Sequence, residues 1–342
     1  MDERILEQLE NVPYNGEDAY NELVDIIENA YCKLEEIQKM TDVFSDKEIK
    51  RLNYELEKIK EWGIAKVFVF GIRLYRLGAS PIFGSENYSY INYLLGLASF
   101  NPVLYDLPFE RLFSEHRKFL PTFNVYVKKG AKGKILKGLY EKYGKSLFIK
   151  PKDSDDFYFT SAKPLDSELI KGTVIIAKEN EEAYEENVSI LTTRELTKLG
   201  FYCFSFTEVE SIKFLDDVEV TEQTILAREK ELFDDCYRND IEEFTLIEEL
   251  KPYLSYTENK LIYQEQFMEI CNKVFGISYS MADYYRRELA KKNKENTKPL
   301  KEIILQKFPE SGEKLFEYFY KVVPYSVSKA YVIACLQYKI EE

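Results

Sequence analysis

An α+β chain is predicted by three observations. Amphipathic helical spacing dominates the first sixty residues, short β-patterned runs are confined to the middle, and the remainder is helical with proline breaks. Leu23, Ile26, Ile27, Ala30, Tyr31, Leu34 and Ile37 recur at helical spacing, so helices are expected over residues 4–11 and 17–40, with Asn15 to Asp18 as the cap region. A further helix is expected from Ser45 to Trp62. Strands are expected at Phe123–Val127, Gly172–Ala177 and Tyr202–Thr207, where β-branched and aromatic residues alternate. From Gln223 onward the pattern is helical, broken at Pro252, Gly276, Pro299, Pro309 and Pro324.

With 342 residues the chain can bury two or three subdomain cores. The five cysteines are widely spaced with no C-x-x-C pair, and His116 is the only histidine, which argues against a zinc site. The acidic start MDERILEQLE is unlike a signal peptide, and no apolar run approaches 18 residues, so a reduced cytoplasmic protein is expected. A net charge of -13 opposes binding to a phosphate backbone. The charge is uneven, however. Residues 207–260 carry 16 acidic and 6 basic side chains, residues 128–152 carry 9 lysines against Glu141, and residues 286–301 carry 7 basic against 2 acidic.

The most informative stretch is Leu261 to Lys292, LIYQEQFMEICNKVFGISYSMADYYRRELAKK. Its YQEQ turn, the step from Gly276 to Ala282 and Asp283, and the run Arg286, Arg287, Lys291, Lys292 resemble the fingers of the bacterial DNA polymerase III alpha subunit, the family C replicative polymerase. Other segments are similar too: Leu52–Phe68 to a segment leading into the palm, Pro81–Pro102 to the G-P-G-R-G-S loop and its helix, and Tyr105–Pro121 to YDLLFERFLNPERVSMP. Tyr140–Gly144, Gly172–Ala177 as a palm strand, and Leu199–Phe206 against L-G-L-x-K-F-D-F extend the likeness.

The resemblance implies a polymerase-like palm, a nucleotidyltransferase-type mixed sheet with helices, a largely deleted thumb and helical fingers. The implied divisions are an N-terminal helical segment at 1–50 without family match, palm at 51–127, a reduced thumb or lysine-rich insert at 128–170, palm again at 171–210, and fingers at 211–342. The PHP, tandem helix-hairpin-helix, clamp-binding and oligonucleotide-binding parts of the family are expected to be missing.

The departures carry the functional reading. A family polymerase holds two magnesium ions on three aspartates, two in P-D-I-D and one in K-F-D-F. Here those positions are Thr122, Asn124 and Ser205. Two divalent ions about 3.5–4 Å apart repel strongly without anions between them. The glycine loop reads Pro81, Ile82, Phe83, Gly84, Ser85, with Phe83 where the family has arginine. Cys203 replaces a lysine, and N-K-S-H-A-A-A-Y has become Pro324 to Tyr331. What persists is the packing set, including Leu94, Leu95, Gly96, Tyr105, Phe109 and Tyr331.

These residues imply a catalytically inactive polymerase-like protein without cofactor or metal. Its expected work is binding, as a scaffold or regulator in replication, repair or a mobile-element module. A protein partner is expected, with weak or no nucleic-acid binding and no membrane. The nucleotide- or DNA-binding remnant is Gly84, Ser85, Gln264, Arg286, Arg287, Lys291 and Lys292. A patch for phosphate or a partner is Lys128, Lys129, Lys132, Lys134 and Lys137, against the plainer reading of a solvated helix face. Gly138–Ser146 ends like a phosphate loop, but its bulky helix-forming interior favours a helix. Asp153, Asp155 and Asp156 read as a solvated turn rather than substitute metal ligands, His116 as a surface residue and Trp62 as packing. Two alternatives are a divergent active polymerase or nucleotide-binding enzyme, and an oligomeric structural protein suggested by 27 Tyr and 23 Phe.

Overall fold

The computed structural model describes residues 2–13, 18–38, 44–80, 83–177, 183–215, 218–233 and 241–341. Two compact units emerge, Met1–Lys213 with Ile340–Glu342, and Phe214–Lys339. Among the described residues no helix is long and apolar enough to cross a membrane.

The first unit opens with α1 (Glu3–Asn11), α2 (Ala19–Gln38), α3 (Asp46–Trp62), α4 (Ala65–Arg76) and α5 (Tyr90–Leu94). Asp18 accepts the backbone N–H groups of Tyr20 and Asn21 ahead of α2; Asn15 lies outside the described residues. Helix α3 starts at a capping box, with the Ser45 and Glu48 side chains each satisfying the other's backbone N–H, and stops where Gly63 turns left-handed. Trp62 is buried and stacks on Phe109 with ring centroids 6.0 Å apart. Glu55 on α3 is fully buried, yet its charge is well met. It pairs with Arg51 at 2.6 Å and accepts Ser89 Oγ and the Tyr90 and Ile91 N–H groups at the start of α5.

There follow β1 (Phe123–Lys128), α6 (Lys132–Tyr143), β2 (Phe148–Ile149), β3 (Phe157–Thr160), β4 (Ile170–Ile176), β5 (Tyr184–Ser189), α7 (Thr193–Lys198), β6 (Tyr202–Val209) and β7 (Ser211–Phe214). A four-stranded mixed sheet has the order β1-β6-β3-β2, with β1 and β6 parallel and the other pairs antiparallel. Side chains alternate across a strand. One face therefore carries Phe123, Tyr158, Tyr202, Phe204 and Phe206, which bury into an aromatic core with Phe70 of α4 and Phe148. The opposite face carries Thr122, Asn124, Cys203 and Ser205.

The strand expected over Gly172–Ala177 forms as β4, but outside that sheet. It pairs only with β5 as a two-stranded hairpin, and most of its residues are exposed. A bridge from Lys150 to Val188 joins the hairpin to the rest of the unit. A run of β-branched residues specifies an extended chain, whereas its pairing partner is decided elsewhere.

In the second unit α8 (Glu222–Leu232), α9 (Lys251–Leu254), α10 (Gln264–Lys273), α11 (Tyr279–Ala290), α12 (Lys298–Lys307), α13 (Gly312–Val322) and α14 (Lys329–Gln337) precede β8 (Tyr338–Glu341). Leu261, Phe267, Met268, Ile270, Cys271, Ala282, Leu289, Leu300, Ile304, Leu315 and Phe319 form its core. Tyr331 departs from its expected packing role and is 38% exposed. The chain also ends in a strand pairing with β7 where the sequence pattern is helical.

Candidate functional site

Parallel pairing brings Asn124 of β1 opposite Ser205 of β6, and Phe123 opposite Phe204. Ser205 Oγ donates to Asn124 Oδ1 at 2.7 Å. One register step earlier, Thr122 hydrogen-bonds the Cys203 thiol, whose pKa burial pushes up to about 12. All three positions where the resemblance places metal-binding aspartates thus meet on one face of the sheet. Their chemistry does not suit two magnesium ions. Asn124 and Thr122 offer neutral oxygens, the Asn124 oxygen already accepts a hydrogen bond from Ser205, and nothing in the trio supplies charge to offset ion–ion repulsion. Among the described residues no group of three or more His, Cys, Asp or Glu could hold a metal ion.

The glycine segment approaches the same strand. Phe83 packs edge-on against Tyr126 of β1, with centroids 5.1 Å apart. Ser85 begins a short 3-10 turn that runs to Tyr88. Glu86 in this turn was not read from the sequence as a site residue, although it is the one charged residue between Arg76 and Asp106. It is 1% exposed, and its carboxylate accepts the backbone N–H groups of Asn124 and of Glu86 itself. One carboxylate oxygen has no hydrogen-bond partner. Burial accordingly raises its pKa to about 7. A Cβ on Gly84 would lie 1.8 Å from that oxygen, so glycine here is what leaves room for the carboxylate. Alongside is a cavity of about 10 Å³ lined by Phe68, Asn92, Phe113, Leu120 and Phe123, at the lower limit for one water molecule.

The lysine patch is less free than its sequence implies. Lys129 pairs with Glu210 at 2.8 Å. Lys132 sits 5.0 Å above the Tyr158 ring and donates to the Asp155 carbonyl, with burial lowering its pKa. Lys150 joins Asp155 at 2.6 Å and the buried Glu186 at 3.1 Å, and Lys145 pairs with Glu185. Lys128, Lys134 and Lys137 remain exposed. Two of the acids of 153–156 are likewise occupied: Asp155 by Lys150, and Asp153 by the Thr193 N–H and hydroxyl at the start of α7. Residues 138–143 are helical within α6, and no phosphate loop forms there.

In the second unit the recognisable motif is used for structure. Gln264 donates to the Ser326 carbonyl at 3.0 Å, and Glu265 accepts the Lys329 N–H at the start of α14. Gln266 is buried; it accepts the Ile262 and Tyr263 N–H groups and donates to Thr257 Oγ1 at 2.7 Å. Asp283 is fully buried and holds Arg286 at 2.9 Å and Arg287 at 3.1 Å. Lys291 pairs with Glu288 at 2.8 Å. Lys292 lies 4.6 Å from the Tyr320 ring centroid and donates to the Tyr320 carbonyl, with burial lowering its pKa. The expected basic remnant is therefore tied by internal ion pairs and backbone contacts.

A small mixed sheet with many helices, followed in the chain by a helical unit carrying this motif, is consistent with a polymerase III alpha-like domain. Residues 25–150 match the bacterial DNA polymerase III alpha NTPase domain, and residues 231–312 match the bacterial DNA polymerase III alpha subunit finger domain. The DNA polymerase III subunit alpha of Thermotoga maritima is 22% identical over 389 aligned positions, covering 86% of this chain and 45% of that protein. That of Halalkalibacterium halodurans is 32% identical over 92 residues, 25% of this chain and 8% of that protein. That of Mycoplasma genitalium is 36% identical over 62 residues, 18% of this chain and 7% of that protein. The chain belongs to the bacterial DNA polymerase III alpha family as an alpha-like protein, and it spans less than half the length of these curated relatives.

Proposed function

We propose that this protein is a pseudo-polymerase, a DNA polymerase III alpha-like body that works by binding rather than by phosphoryl transfer. The observation that supports this most is the hydrogen bond from Ser205 to Asn124, a neutral pair at the position where catalysis needs paired carboxylates and their metal ions. Glu86 supports it too. By accepting the Asn124 backbone N–H it occupies with protein a donor at the base of the glycine turn. The proposed role is that of a scaffold or regulator of replication, repair or a mobile-element module, with a protein as partner.

Purified protein supplied with primer–template, the four deoxynucleotides and Mg²⁺ or Mn²⁺ is expected to give no extension above a no-enzyme control. Template-directed incorporation that scales with protein and vanishes in Ser205→Ala would overturn the reading. Weak nucleic-acid binding follows from the net charge of -13 and the internally paired Arg286 and Arg287. Labelled single-stranded and duplex DNA titrated at two salt concentrations should bind in the non-specific range of about 10⁻⁴–10⁻⁶ M. Tight binding that persists at high salt would contradict a protein-partner role.

A further inference from the structure

The helical side of the first unit holds a feature that the polymerase resemblance does not use. A cleft of about 250 Å³ is lined by Glu22 of α2, Arg73 and Arg76 of α4, and Lys142 and Tyr143 of α6. Its floor is tight because Gly138 lies directly over Leu77, where an added Cβ would fall 2.6 Å from a Leu77 methyl. Phe70, one turn before Arg73, packs on the aromatic face of the sheet, so this cleft lies on the opposite side from Asn124 and Ser205.

The charges in the cleft are arranged rather than scattered. Arg73 donates through Nη1 to the Tyr143 hydroxyl at 2.6 Å and through Nη2 to Glu22 at 2.8 Å. These two contacts fix a guanidinium that retains further N–H donors. The Tyr143 oxygen accepts from Arg73, which leaves its own proton available to donate. Arg76 and Lys142 are exposed at the rim, and Glu22 is the one lining carboxylate. Three cations against one anion leave the cleft net positive on a chain whose overall charge is -13.

We infer that this cleft binds the phosphate group of a small phosphomonoester, of nucleoside-monophosphate size or less. Arginine suits this chemistry because its planar fork meets two phosphate oxygens at once, with Lys142 adding a point charge. The volume lies just below the usual range for small-molecule sites, about 300–1,000 Å³, which sets the size limit. Glu22 positions Arg73 and opposes the ligand's charge, so its neutralisation should strengthen binding.

Isothermal titration of the full chain with inorganic phosphate, a nucleoside monophosphate and the matching unphosphorylated nucleoside tests the inference. Both phosphates should bind at millimolar or lower concentration and the nucleoside should not. Binding by the monophosphate alone assigns the ligand to nucleotides, and equal binding by both assigns it to the free or terminal phosphate. Replacing Arg76→Ala together with Lys142→Ala should weaken phosphate about tenfold or more, each lost charge-assisted contact contributing. Glu22→Gln should tighten it. The rim pair is exposed, so thermal melting by circular dichroism should be unchanged in the double variant. Equal affinity of nucleoside and monophosphate, binding of neither inorganic phosphate nor the monophosphate by the wild-type chain, or undiminished binding by a folded double variant would overturn the inference.

Discussion

The Asn124–Ser205 pair and the Asp283–Arg286–Arg287 cluster stand in instructive contrast. At the strand pair, the neutral Asn124 and Ser205 stand where the resemblance implies carboxylates, and the exposed Asn124 satisfies the buried Ser205 hydroxyl. In the helical unit the chain retains the family's letters, but the structure spends them on burial: one carboxylate anchors two guanidiniums, and Gln266 ties the preceding loop to α10.

This contrast is most open to attack at Asp283. Asp283→Ala would remove the buried carboxylate that Arg286 and Arg287 share and should destabilise the protein by about 3–5 kcal/mol, measured by denaturant unfolding. A cost below about 1 kcal/mol would mean that the arginines are not structural.

Glu86 sharpens the comparison from the sheet side. Its folded-state pKa of about 7 exceeds the ordinary 4.5. Between those values the folded state holds a proton that the unfolded state has lost. Stability from this group is thus fully present below pH 4.5, falls as pH rises toward about 7, and stays low above it. Glu86→Gln should remove that dependence and stabilise the protein by about 3 kcal/mol at pH 8, read from melting curves across pH. A parallel pH dependence in wild type and variant would place the loss of stability elsewhere.

Gln266→Leu is expected to cost about 1–3 kcal/mol, because the Ile262 and Tyr263 N–H groups would lose their buried acceptor. Asn124→Ala should cost only about 0.5–1.5 kcal/mol, the net value of one hydrogen bond at an exposed residue. If Asn124→Ala proved the more damaging of the two, the strand pair rather than the YQEQ turn would be the structural element.

Much of the local structure was legible. Ser45 with Glu48 announces α3, and the alternation of Phe123 to Val127 and Tyr202 to Thr207 announces two strands. The coincidence of Thr122, Asn124 and Ser205 followed from the resemblance rather than from any local pattern, since 81 residues separate the bonded pair. The partners of Lys129, Lys132 and Lys150 were not legible, because Glu210, Tyr158 and Glu186 are distant in sequence and reach them only in the folded unit. Glu86 was overlooked for a related reason. A lone charge among uncharged neighbours looks like an exposed turn residue until the strand that buries it is in place.

The parallel pairing of β1 with β6 also sets the order in which this protein can assemble during synthesis. Strand β1 has no neighbour in the four-stranded sheet other than β6, and at about 5–20 residues per second the ribosome needs roughly 4–16 s to supply that neighbour. During this interval the apolar side of β1, with Phe123, Val125 and Val127, lacks its sheet partner, although Tyr126 can already bridge Ser80. Non-local pairing of this kind is slow to form. Full pairing of β1 is therefore expected only after residue 209 has emerged.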